Sequence, residues 1–159
     1  MDTTSARTPV DVDEADLLDL LGAYQHLQAQ NLRMSTHLST ELELGPTDLR
    51  VLLYLFRTDN VSPRDLATLL EHTTGSITAM VDRLEKSGHL ERRPHPTDRR
   101  SQLLHLTDAG TDAVHHVRDV YQTAFDGVFT GPALRTASKT LRTLGDALIP
   151  HLPEVEPRN

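Results

Sequence analysis

Apolar residues recur at three- and four-residue spacing through most of the chain, a period that predicts a largely helical protein. Leu17, Leu20, Leu21, Tyr24 and Leu27 begin the first series, and Leu32 and Leu38 continue it, which predicts one long helix over 14–45. Pro46 then follows Gly45 and opens "PTDLRVLLYLF", while Ser62, Pro63 and Asp65 head "SPRDLATLL" as cap, first-turn proline and capping-box acid. Two short helices are expected from these starts. Thr73 caps a further one, with Ile77, Met80, Val81 and Leu84 on one face and Gly88 as its left-handed stop.

The helical period breaks after Gly88. Residues 89–93 and 102–106 read as short strands, the second because Leu104 and Leu106 alternate with polar neighbours; Pro94 and Pro96 keep the intervening turn out of a paired strand. The result is a hairpin with a long basic tip, "RRPHPTDRR". Helical spacing returns behind Thr107 with Ala113, Val117, Val120, Tyr121, Ala124 and Val128. It returns again with Leu134, Ala137, Leu141, Leu144 and Leu148, a seam like that of a coiled coil. Too short to stand alone, this seam is expected to pack on a second copy of the chain.

At 159 residues the chain fits one domain. It has no cysteine, which excludes disulfides, thiolate redox sensing and cysteine-based zinc sites. No apolar run is long enough for a membrane span, and the start "MDTTSARTPVDVDEAD" is acidic and polar, so a cytoplasmic protein with no membrane partner is expected. A formal net charge of −7 argues against indiscriminate nucleic-acid binding, yet the charge is unevenly placed. Residues 1–21 hold six acids against one arginine, whereas Arg92 to Arg100 hold four arginines against one aspartate.

Two short capped helices joined by "EHT", with a basic hairpin behind the second, describe a mostly α (α+β) winged helix-turn-helix. The expected division is a disordered N-terminus (1–13), a dimerisation helix (14–45), the winged helix-turn-helix (46–107), dimerisation helices (108–150) and a tail (151–159). In such a fold the second short helix enters the DNA major groove and arginines of the wing suit the narrow minor groove. His37 and Glu41 stand at i, i+4, and His115 and His116 are adjacent, but nine scattered histidines make chance pairs expected, so neither a metal nor another cofactor is predicted. The chain lacks a phosphate-binding glycine loop, a nucleophile elbow and closely spaced catalytic carboxylates, and no enzyme is expected.

The stretch "SITAMVDRLEKSGHLERRPHPTDRRSQLLHLTDAG" resembles the signature segment of the MarR family of transcription regulators, with Asp98, Arg100, Leu106 and Thr107 on the wing pattern. The resemblance implies a homodimer built by the first and last two helices, bound to a near-palindromic double-stranded operator, usually as a repressor released by a small ligand. It implies Arg100 as the minor-groove arginine, Asp98 as its orienting carboxylate and Arg99 beside phosphates. Ser62, Thr73, Thr74, Ser76 and Thr78 become the remaining DNA-contact candidates. Asp82 and Arg83 also match the pattern, either as functional residues or as an intramolecular pair. Ala79 and His95 depart from it, standing where a basic and an acidic residue are common, so base readout is expected to lean on hydroxyls and DNA shape. For the effector, His26, Arg33 and His37 on the first helix and Tyr54 on the second suit a small aromatic acid or phenol. A metal-responsive regulator, and a winged-helix protein-interaction module without DNA binding, are the alternatives.

Overall fold

The computed structural model describes residues 12–98 and 101–151. The predicted disordered start lies outside these residues up to residue 11, as does the tail beyond residue 151. The described chain forms α1 (Glu14–Glu41), α2 (Pro46–Leu55), α3 (Pro63–Leu70), α4 (Thr74–Lys86), strands β1 (Leu90–Pro94) and β2 (Gln102–Leu106), α5 (Asp108–Ala124) and α6 (Gly131–Leu148), then a short 3-10 turn. Two compact units result, one up to Pro46 and one from Thr47.

The first unit is α1. Asp13 caps it by accepting the Ala15 N–H at 2.7 Å, and Glu14 and Asp16 place acid in its first turn, where the helix dipole favours it. The helix stops at Glu41 instead of running to residue 45. There the chain turns through Glu43 at φ 55°, and the Leu44 N–H donates back to the Ser39 carbonyl at 2.7 Å. Leu38 and Ser39 are buried, whereas Leu17, Leu20, Leu21, Tyr24 and Leu27 all remain exposed within the chain.

In the second unit, capping dictates where the elements begin. Ser62 and Asp65 form a complete capping box on α3, Thr73 accepts from the Ser76 N–H on α4, and Thr107 accepts from the Gly110 N–H on α5. The antiparallel hairpin pairs Leu90 with Leu106 and ends on Pro94 opposite Gln102. Pro94 therefore does sit in the ladder, but only as its terminal pair, where a missing N–H interrupts nothing beyond it. The expected alternation at Leu104 and Leu106 is also corrected: adjacent Leu103 and Leu104 are buried and Leu106 is half-buried. The Leu104 N–H donates to the Val61 carbonyl at 2.8 Å, so a short antiparallel bridge flanks β2 on its other edge.

The core of this unit gathers Val51 and Leu52 from α2, Leu66 from α3, Ile77, Val81 and Leu84 from α4, Leu90 and Leu103 from the hairpin, and Val114 and Val117 from α5. α5 contributes Ala113, Val114 and Val117, while Val128 lies beyond the helix end and is exposed. α6 forms as expected but buries none of its residues within the chain, and Leu134, Leu141, Leu144 and Leu148 stand exposed along it.

Candidate nucleic-acid interface

The turn between α3 and α4 is tight. Glu71 adopts a left-handed conformation at φ 53°, which closes α3 and lets the His72 N–H donate to the Ala67 carbonyl at 3.1 Å. Thr73 then starts α4 at once. Ile77, Met80, Val81 and Leu84 face the core, so Thr74, Gly75, Ser76, Thr78 and Ala79 are left on the solvent face. Two of the candidate hydroxyls already have partners: Thr73 Oγ1 accepts the Ser76 N–H at 3.3 Å, and Thr78 Oγ1 donates to the Thr74 carbonyl at 2.9 Å. Ser62 is half-buried, and its hydroxyl and N–H both donate to Asp65 Oδ2 at 2.8 Å. These bonds hold the Asp65 carboxyl below its ordinary range, the backbone N–H of Ser62 contributing most.

Charged residues of α4 are committed to partners inside the unit. Arg83 meets Asp48 as a fork, Nε to Oδ2 at 2.9 Å and Nη2 to Oδ1 at 2.5 Å, joining α4 to the first turn of α2. The Asp48 side chain is only 3% exposed against 58% for Arg83, and the hydrogen bond to this carboxylate raises the arginine's pKa above its usual value. Of the two readings of Arg83, the intramolecular pair is the one observed. Asp82 and Glu85 both receive the guanidinium of Arg92 from β1.

The wing divides its arginines. Arg92 turns back onto α4, and Arg93 pairs with Glu91 of its own strand. Arg99 and Arg100, the arginines carried over for DNA contact, lie outside the described residues. Asp98 is exposed at the tip, its N–H donating to His95 Nδ1 at 3.1 Å, and Thr97 donates its own N–H to the same nitrogen at 3.3 Å. His95 Nδ1 thus accepts both N–H groups as a carboxylate does at an Asx turn. The backbone N–H of His95 donates to the Ser101 carbonyl at 3.1 Å and closes the tip.

The wing base is fixed by Thr107, a residue of the wing pattern, and by Gly110, which no motif announced. Thr107 Oγ1 donates to the Gly88 carbonyl at 2.6 Å while capping α5. Gly110 lets α5 approach so closely that a Cβ there would stand 2.0 Å from the His89 carbonyl oxygen. Of the effector candidates, His26, Arg33 and His37 lie exposed along one face of α1, with His37 Nε2 3.9 Å from Glu41 Oε2, and Tyr54 is half-buried on α2. Among the described residues no three histidine or acidic side chains gather as a metal site, and no helix is long and apolar enough to cross a membrane.

Comparison with known proteins agrees with this geometry. A family model described as the MarR family matches residues 42–101. YcgE, a helix-turn-helix transcriptional regulator of Bacillus subtilis, is 30% identical over 122 residues, covering 77% of this chain and 73% of that one. The multiple antibiotic resistance protein MarR of Salmonella typhimurium is 32% identical over 87 residues, 55% of this chain and 60% of its own. The chain spans about 60% of the length of such shorter-matching relatives. A MarR family protein from Bacillus stearothermophilus superposes with a TM-score of 0.71 at 18% identity, over 87% of this chain and 99% of its own.

Proposed function

Because this chain belongs to the MarR family of helix-turn-helix transcription regulators, we propose that it is a homodimeric repressor that binds a near-palindromic operator and leaves it when a small aromatic acid or phenol binds. The observation that supports DNA binding best is the uncharged, hydroxyl-bearing outer face of α4 standing directly ahead of a closed hairpin tip. In this reading Thr74, Ser76 and Thr78 face base edges, Thr73 and Ser62 lie near phosphates, and Arg99 and Arg100 enter the adjacent minor groove with Asp98 orienting Arg100. The exposed apolar series of α1 and of α6 are the surfaces for the second copy, since obligate interfaces resemble a core cut in half.

Two recognition helices so paired meet half-sites about one DNA turn, ~34 Å, apart. An effector releases DNA only by preferring a dimer in which that spacing is wrong. Arg33, with His26 and His37 on the same face of α1, supplies the cation for the acid group.

Selection of duplexes from random sequence, followed by gel shifts with aromatic acids, phenols and divalent metals, tests the whole reading. Arg100→Ala is expected to cost about 1–3 kcal/mol of operator binding without changing the melting temperature. Arg33→Ala is expected to weaken release by the acid and leave operator affinity alone. Equal operator affinity for Arg100→Ala and wild type refutes the wing assignment, and release by zinc alone replaces the aromatic effector with a metal.

A further inference from the structure

Arg92 is one of four arginines in the basic stretch, yet it behaves unlike its neighbour. The side chain is 18% exposed, against 58% for Arg93. It sits mid-strand on β1, opposite Leu104, and its guanidinium spans two carboxylates of α4, Asp82 Oδ1 at 2.5 Å and Glu85 Oε2. The Arg92 backbone N–H also donates to Glu85 Oε1 at 3.3 Å, so Glu85 grips main chain and side chain together. Asp82 and Glu85 are three residues apart, on one helix face, with side chains 60% and 41% exposed.

Those two carboxylates are anomalous on a helix meant to lie against phosphates. Like charges brought together at an interface oppose binding. Arg83, between them in sequence, does not offset them, because Asp48 already holds its guanidinium. Lys86 is the remaining cation of the last turn. The cation that lies over both Asp82 and Glu85, and halves their joint charge, comes from the wing.

We propose that Arg92 is a positioning residue of the DNA-binding lobe: it straps the wing hairpin to the recognition helix and masks the two carboxylates which that helix would otherwise turn toward the duplex. This rests on the operator-binding reading above and assigns Arg92 no contact with DNA. A bidentate guanidinium suits the task because one planar fork satisfies two acceptors at fixed spacing, which an ammonium does not.

The test is a cycle of four full-length proteins: wild type, Arg92→Gln, Asp82→Asn with Glu85→Gln, and all three changes together. Each is measured against the duplex recovered by selection with the wild type and against a random-sequence duplex. Arg92→Gln is expected to lose roughly 10- to 100-fold in affinity for both duplexes, since it uncovers two negative charges. In the carboxylate-free background the same change is expected to cost less than about threefold, because nothing is left to mask. The triple variant also guards against misfolding, since replacing every partner of a polar cluster by neutral groups of like shape is tolerated far better than orphaning one. Arg92→Lys is expected to fall between Gln and wild type.

An equal loss in both backgrounds, with the salt slope of binding falling by about 0.9 each time, overturns the proposal and makes Arg92 a phosphate contact. A wild type that binds no duplex overturns the regulator reading and this inference with it. Binding by the wild type with an additive cycle overturns the inference alone.

Discussion

Replacing Arg83 by methionine tests how the recognition helix is held. The change keeps a flexible apolar stem and removes the guanidinium forked onto Asp48. What remains is a carboxylate whose side chain is 3% exposed, in the first turn of α2. Orphaning one partner of a fully buried pair costs about 3–5 kcal/mol, mostly through the charge left behind. Here the guanidinium is 58% exposed, so water reaches the gap once it is gone, and exposed pairs are worth little. An intermediate loss of about 2–3 kcal/mol is expected, or roughly 4–12 °C in melting temperature for a chain of this size.

The pH dependence of the pair follows from the arginine. In the wild type the raised Arg83 pKa means that its contribution is complete below the ordinary arginine value and is lost only as pH rises through the higher folded value. It is therefore constant across ordinary conditions. The variant lacks this contribution, so the deficit due to Arg83 is expected in full at neutral pH. Melting is followed by circular dichroism from pH 4 to 8 at fixed protomer concentration, because dimerisation makes the midpoint concentration-dependent. A variant that melts with the wild type at pH 7 refutes the account.

Gly110→Ala is expected to cost 3 kcal/mol or more, on the order of the worst overpacking, because the added methyl meets a backbone oxygen that has no rotamer to adopt; a thermal melt within about 2 °C of wild type refutes it. Asp65→Asn is expected to lose about 1 kcal/mol at pH 7 by weakening the capping box. Since the folded Asp65 pKa is depressed, the difference is present above the unfolded value of 3.8 and vanishes as pH falls below it; a difference that persists at pH 2 contradicts the cap as its origin. Leu141→Glu with Leu144→Glu places two charges on the exposed seam of α6 and is expected to convert the dimer to monomer or aggregate, read by light scattering; an unchanged dimer moves the interface elsewhere.

The parts legible in the sequence were those governed by residues a few positions apart. Ser62, Thr73 and Thr107 each cap the helix they were expected to start, and Ile77, Met80, Val81 and Leu84 form the buried face of α4, because capping and amphipathic spacing are local properties. What escaped is non-local. Asp48 reads as an ordinary first-turn acid, and only the packing of α4 brings Arg83 to it across 35 residues. Val61 carries no strand pattern of its own, yet its carbonyl completes the bonding of β2. Gly110 looks like a helix-weakening glycine until the His89 carbonyl is seen against it.

The arginine cluster shows most plainly why charge pattern alone misjudges a binding surface. Four arginines in nine residues look alike in sequence, but pairing makes them different. A guanidinium paired with one carboxylate contributes almost no field at a distance, as with Arg83 on Asp48 and Arg93 on Glu91, and Arg92 over Asp82 and Glu85 forms a cluster that is negative overall. The paired charges tie α4 to α2 and to β1, and the outer face of α4's first two turns carries small uncharged side chains. Under the operator-binding reading, long-range attraction then falls to the wing tip while α4 contributes fit. A thymine methyl beside Ala79 or the methyl of Thr78, or a base acceptor beside a hydroxyl, discriminates less sharply than an arginine forked onto guanine. The shape and deformability of the flanking DNA must carry the remainder of the specificity.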